Sequence, residues 1–129
     1  MIPRGSTFHM KKVLIIDDEE HYCRALKKGL EMKGNFQVLT ATRGEEGIRI
    51  AKQQKPDIIL LDIVMPDMAG TVVAEALSNN PVTANIPIIF VTAIVQHHEV
   101  SEGGGVVGGQ IFVAKPIMMD DMINKIKAI

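Results

Sequence analysis

Asp17, Asp18 and Asp62 each follow an unbroken apolar run, and Thr92 and Lys115 close two more. Three carboxylates gathered in one pocket repel each other, and at least one protonates unless a cation is present. A hard divalent cation with oxygen ligands resolves that repulsion. Mg²⁺ (or Mn²⁺) fits, because Mg²⁺ is small, keeps some waters, and takes one or two carboxylates plus phosphate oxygens. Lys115 supplies a second positive charge and Thr92 a neutral donor. A metal, an ammonium and a hydroxyl around a carboxylate make a phosphoryl-transfer site in which the carboxylate can be the nucleophile. No organic cofactor is called for.

Elements must bring these residues together. Val13-Leu14-Ile15-Ile16 runs into Asp17-Asp18, and the strand Ile58-Ile59-Leu60-Leu61, after Pro56-Asp57, runs into Asp62. Pro87-Ile88-Ile89-Phe90-Val91 leads to Thr92-Ala93, and Ile111-Phe112-Val113 leads to Ala114-Lys115-Pro116. A further strand, Phe36-Gln37-Val38-Leu39-Thr40-Ala41, ends without charge. Helical patterns lie between. Tyr22, Cys23, Leu26, Leu30 and Lys33 share one spacing and stop at Gly34-Asn35, and residues 44–54 stop before Pro56. Residues 70–79 and 118–129 read as further helices. Strands and helices alternate five times, and the strands are continuous apolar runs, as in a parallel sheet covered on both faces. The expected fold is a doubly wound, flavodoxin-like (βα)5 domain with strand order 2-1-3-4-5. Such sheets bind ligands beyond the carboxyl ends of their strands, where four of the five strands carry the residues named above. Taken singly, each has a structural reading; Asp18, for instance, could cap the first helix. Their joint placement is harder to explain that way.

Composition narrows the class. The length of 129 residues fits one domain, and 47% hydrophobic residues can build a core without a disulfide or metal staple. The single cysteine, Cys23, reads as a core residue. A net charge of −1 gives no argument for nucleic acid or a membrane surface. The apolar runs are far shorter than the ~20 residues of a membrane span. Residues 1–9 lack the apolar segment of a signal peptide and read as a vector-derived tag remnant, so residues 10–129 are expected to form the domain, in the cytoplasm.

The pieces VLIIDDE, IILLDIVMPDMAG, PIIFVTA and FVAKP, in this order and spacing, resemble the receiver domain of two-component response regulators over residues 10–129. The resemblance implies that Asp62 is the phospho-acceptor and Asp18 the principal metal carboxylate, with Asp17 beside it binding through water. The backbone carbonyl of Val64 would be a further metal ligand. Thr92 and Phe112 would be the switch pair, Lys115 the lysine that pairs with phosphate, Pro116 the cis proline after it, and Gly70 the glycine of the loop after the acceptor. Asp67 is a weaker acceptor candidate, because no apolar strand holds it. The implied donor is a histidine kinase, a histidine phosphotransfer protein or a small acyl phosphate. Phosphorylation would change the face made by the fourth helix, fifth strand and last helix, which an output domain or protein reads. That face is also a candidate homodimer surface, and no direct contact with nucleic acid or membrane is implied. The domain would not be an enzyme, since it assists only its own phosphorylation and dephosphorylation.

Some segments depart from the family pattern. Residues 101–110, SEGGGVVGGQ, fall where the fourth helix would lie, and each glycine disfavours helix by about 1 kcal/mol relative to alanine. That helix is expected to be short, irregular or mobile; phosphorylation ordering it is the functional alternative to a plain surface loop. Val64 and Ile94, two residues beyond Asp62 and Thr92, are apolar and cannot orient an attacking water, so a long-lived phosphoryl state is expected. His97 and His98 read as solvated loop residues, and His9 and His21 carry still less. Strand five lacks the acidic pair used in the winged-helix subfamily's dimer face, although the last helix has Asp120 and Asp121. Three other readings stay open. A flavodoxin-like flavin module would need a phosphate loop where Asp-Asp-Glu-Glu stands. An aspartyl-phosphate phosphatase usually has a second acid where Val64 stands. A degenerate receiver would bind partners without phosphorylation. Whether the chain stands alone or is cut from a longer regulator, and which kinase serves it, the sequence leaves open.

Overall fold

A computed structural model describes residues 10–93, 105–107 and 110–129. The elements, in chain order, are β1 (Lys12–Ile16), α1 (Glu20–Gly34), β2 (Gln37–Ala41), α2 (Gly44–Gln54), β3 (Ile58–Leu61), α3 (Gly70–Ser78), β4 (Ile88–Thr92), β5 (Gly105–Val107), β6 (Gln110–Ala114) and α4 (Met119–Lys127). Five strands are parallel in the order β2-β1-β3-β4-β6, and β5 joins β6 antiparallel at the edge.

The sheet is double-sided because its central strands run apolar without a break through Val13–Ile16, Ile58–Leu61 and Ile88–Val91. Side chains alternate between the faces of a strand. Val13 and Ile15 of β1, Ile58 and Leu60 of β3, and Ile89 and Val91 of β4 therefore pack with Cys23, Leu26 and Leu30 of α1 and Met122, Ile123 and Ile126 of α4. Leu14, Ile16, Ile59, Leu61 and Phe90 face the other way, against Ala51 of α2 and Val73 and Leu77 of α3. Each such buried aliphatic side chain contributes about 1.5–3 kcal/mol relative to exposure. Two cores of this kind clamp β1 and β3 in place, so the residues just beyond them are held rigidly.

The helices stop where their sequences say they must. Asn35 takes the left-handed conformation after α1 (φ 56°) and its N–H bonds the Leu30 carbonyl. Lys55 does the same after α2 (φ 48°), bonding Ala51, and Pro56 then forbids another turn. Of the first helix's expected inward residues, Lys33 is instead exposed, and Gly34 takes the buried place one position on.

The expectation of five strands with a weak fourth helix needs one correction. Residues 105–107, in the glycine-rich segment assigned to that helix, form the edge strand β5, with Val106 opposite Ile111 and Val107 opposite Gln110. An extended backbone suits Val106-Val107, whose branched side chains favour strand over helix. The rest of the expected helix, together with Ile94, His97, His98 and the presumed tag with His9, lies outside the described residues. No helix among the described residues is long and apolar enough to cross a membrane.

Candidate phosphoryl-transfer site

The ladder of the parallel sheet runs one residue past each strand and fixes the polar residues there. The Asp17 N–H bonds the Ala41 carbonyl at 3.0 Å, the Asp62 N–H bonds Ile16 at 2.9 Å, and the Lys115 N–H bonds Thr92 at 3.0 Å. Because Ile16 lies opposite Leu61 and Thr92 opposite Ala114, the residues that follow meet at one edge. Asp17, Asp18 and Asp62 place carboxylate oxygens within 4.8 Å of one another. Asp17, Asp62 and Thr92 are buried, and Asp18 is exposed.

Lys115 is the cation of this cluster. Its Nζ lies 2.7 Å from Asp17 Oδ2, 2.7 Å from Glu19 Oε1 and 3.7 Å from Asp62 Oδ2. The ammonium also sits 4.4 Å from the centre of the Tyr22 ring. The other oxygen of Asp17, Oδ1, accepts from the Glu19 N–H at 2.9 Å, so both its oxygens are engaged and Asp18 is the one of the pair that faces solvent. That bond gives Asp17, rather than Asp18, the place at the start of α1, where the N-cap residue Glu19 makes no side-chain cap. Asp62 Oδ1 accepts a long bond from the Val64 N–H at 3.4 Å, and Val64 is 56% exposed. The Lys115-Pro116 peptide bond is cis.

The electrostatics follow from this geometry. Burial, and after it the charge of Asp17, pushes the Asp62 carboxyl above its ordinary range. Burial likewise raises Asp17, although the bonds from Lys115 and the Glu19 N–H pull the other way. For Lys115, burial alone would lower the pKa, but the bonds to Asp17 and Glu19 carry it above the ordinary lysine value. Burial pushes the Tyr22 phenol and the Cys23 thiol each up to about 12, so both are neutral at physiological pH. One lysine therefore faces a surplus of buried negative charge. The three carboxylates are oxygen donors of the kind a small hard cation takes, and they fit Mg²⁺.

The fold thus holds a cost at Asp62. A carboxyl whose pKa is raised by folding is destabilising once ionised. That cost is absent below the unfolded value near 3.8 and grows as pH rises through the raised folded value. Asp62→Asn is therefore expected to raise the melting temperature at pH 7 without metal, by about 1 kcal/mol or ~4 °C. The gain shrinks as pH falls through that window, or as Mg²⁺ is added to the wild type. A lower melting temperature in the variant would contradict this.

The other residues singled out by sequence are also accounted for. Phe112 on β6 is partly buried and stacks on Phe90 at 5.1 Å between ring centres. The Asp67 carboxylate accepts the Gly44 N–H at 2.8 Å at the start of α2, a structural role that leaves it outside the acid cluster. His21 is exposed. Sequence reasoning missed Glu19 and Tyr22 as neighbours of Lys115. Glu19 adjoins the acid pair, which is a usable signal, but Tyr22 reads only as one more position on the inner face of a helix.

Known proteins share this chain's sequence pattern and fold. The family described as response regulator receiver domain matches residues 13–127. The protein PilH of Pseudomonas aeruginosa is 34% identical over 120 residues, covering 93% of this chain and 98% of that one. The alkaline phosphatase synthesis transcriptional regulatory protein PhoP of Bacillus subtilis is 33% identical over 120 residues, 92% of this chain but only 48% of that protein. The chain thus spans nearly all of PilH and about half of PhoP. Among solved structures, chemotaxis protein CheY4 of Vibrio cholerae superposes with a TM-score of 0.79 at 26% identity, covering 93% of this chain and 98% of that one. With the family matched along almost its whole described length and the acid cluster formed at the sheet's edge, this chain belongs to the response regulator receiver domains.

Proposed function

We propose that Asp62 accepts a phosphoryl group and that the domain is a phosphorylation-dependent switch. The observation that carries this reading is the buried Asp62 carboxylate set between Asp17, Asp18 and the Lys115 ammonium at the mouth of the sheet. An Asp62 oxygen attacks the phosphorus of a phosphohistidine on a histidine kinase or phosphotransfer protein, or of a small acyl phosphate. As the new O–P bond forms, the P–N or P–O bond to the donor breaks, and the leaving group keeps that electron pair. Asp17, Asp18, Asp62 and the backbone carbonyl of Val64 would hold Mg²⁺ (or Mn²⁺), which supplies positive charge against the transferring oxygens. Lys115 offsets the same charge from the opposite side, and the Thr92 hydroxyl donates to a phosphoryl oxygen once the group is in place.

The added group brings a charge of about −2. It draws Thr92 toward it, and Phe112 follows inward. The surface around β6 and α4 then changes and is read by an output partner, or by a second copy of the chain. This is a two-state equilibrium biased by local charge. The relatives named as transcriptional regulators are longer than the matched part, so the output is either a linked domain or a separate protein. On this reading the domain works in the cytoplasm, turns over no external substrate and touches no nucleic acid itself. The phosphatase alternative is disfavoured because Val64, where that chemistry uses an acid, is an exposed hydrophobe. The flavin alternative is disfavoured because acids occupy the place of its phosphate loop.

Incubation with acetyl phosphate and Mg²⁺ is expected to add one phosphoryl group per chain by intact mass, and none with EDTA. The label is expected to persist for minutes, since Val64 cannot orient a water. Labelling that proceeds equally in EDTA, or decays in seconds, would count against the reading.

A further inference from the structure

We propose that Tyr22 is a positioning residue for phosphoryl transfer. Its ring face would be the third wall of a cradle that holds the Lys115 ammonium, with Asp17 and Glu19, within reach of a phosphoryl group on Asp62. This rests on the phospho-acceptor reading of Asp62.

Two observations carry it. First, the three contacts on Lys115 are unequal in kind. The Asp17 and Glu19 carboxylates lie at 2.7 Å, but Asp62 lies at 3.7 Å. An ammonium has three N–H groups; Asp17 and Glu19 take two, so the third is left for a phosphoryl oxygen on Asp62. As the ammonium moves toward that oxygen, Glu19 is the partner that yields most easily, because its side chain is 61% exposed and its ion pair is screened by water. A ring face attracts a cation without a directional bond, so it holds the ammonium during that move and leaves its N–H groups free to turn. Second, the Tyr22 hydroxyl is buried with no hydrogen-bond partner among the described residues. Such a hydroxyl is costly, and an aliphatic residue would fill the same inner face of α1 without it. The ring, and not the hydroxyl, is what contacts the site. Tyr22 stays an uncharged phenol throughout, so its face keeps the same sign of attraction.

The test measures labelling by acetyl phosphate in the wild type, Tyr22→Leu and Tyr22→Phe. Circular dichroism melts confirm that each is folded. Tyr22→Leu is expected to lower the maximal labelling rate about tenfold. The Mg²⁺ concentration giving half the maximal rate stays within about twofold of wild type, because the metal-binding carboxylates are untouched. Tyr22→Phe restores most of the lost rate. A merely structural defect would move rate and Mg²⁺ dependence together; Tyr22→Phe then assigns the effect to the ring rather than to the hydroxyl.

A second readout needs no variant. The chain has one tyrosine and no tryptophan. Titrating the wild type with Mg²⁺ and the phosphoryl mimic beryllofluoride is expected to change tyrosine emission as Lys115 shifts over the ring. This decides the case if Tyr22→Leu does not fold. Wild-type labelling with an unimpaired folded Tyr22→Leu, a Tyr22→Phe no better than Tyr22→Leu, or emission indifferent to the mimic would each overturn the inference alone. A folded wild type that takes no label would overturn the function proposed above, and this inference with it.

Discussion

Lys115→Met is expected to cost about 3 kcal/mol of stability at pH 7, read as a lower urea midpoint. The substitution keeps most of the side chain's volume and removes only the ammonium. Asp17, 2% exposed, then loses the partner of Oδ2 while buried beside Asp62. Breaking a buried pair costs more than the pair contributes, since the remaining charge is left without compensation. The sign with pH is fixed by the carboxylates. Lys115 lowers the Asp17 pKa, so without it Asp17 protonates at higher pH, and the deficit shrinks toward acid. Adding Asp62→Asn to Lys115→Met is expected to return part of the loss, because one of the two repelling charges is gone. A midpoint within about 0.5 kcal/mol of wild type would mean the lysine is an exposed surface cation, contrary to its 11% exposure.

Gly70→Ala is the second large effect, and its sign opposes helix propensity. Gly70 is the first residue of α3, where alanine would gain about 1 kcal/mol by propensity alone. A Cβ there would collide with the Asp62 carbonyl oxygen and come within 2.7 Å of Ile63 Cα. Both atoms are backbone, and the Gly70 N–H already closes the loop onto the Ile63 carbonyl at 2.7 Å. The loop cannot open without moving Asp62. The expected net loss is about 2 kcal/mol, with slower acetyl phosphate labelling even in the folded fraction. Increased stability would show that the loop tolerates the side chain and that Asp62 is less rigidly held than the ladder implies.

The parts of this molecule legible in the sequence are those where local pattern and tertiary demand coincide. Ile58-Ile59-Leu60-Leu61 is apolar at each position because both faces of β3 are buried, and its limits match the sequence reading. Residues 44–54 are bounded by Gly44 and by Pro56, which end a helix whatever surrounds it. The four strand ends follow from the handed, parallel topology once the strands are found. What was misread is the glycine-rich segment. Helix propensity says only that the three glycines 103–105 resist helix; it does not say where Val106-Val107 will pair. Two apolar runs separated by Gly108-Gly109 are a hairpin signature, which the helix expected at that place obscured. Tyr22 was illegible for a different reason, and Glu19 carried only its place beside the acid pair as a signal. Their contacts with Lys115 span most of the chain and depend on side-chain reach rather than on periodicity.

Intact mass of the wild type, Asp62→Asn and Asp67→Asn after acetyl phosphate and Mg²⁺ tests the central claim most directly. Asp62 as the acceptor predicts one phosphoryl group on the wild type and on Asp67→Asn, and none on Asp62→Asn. Full labelling of Asp62→Asn would contradict it.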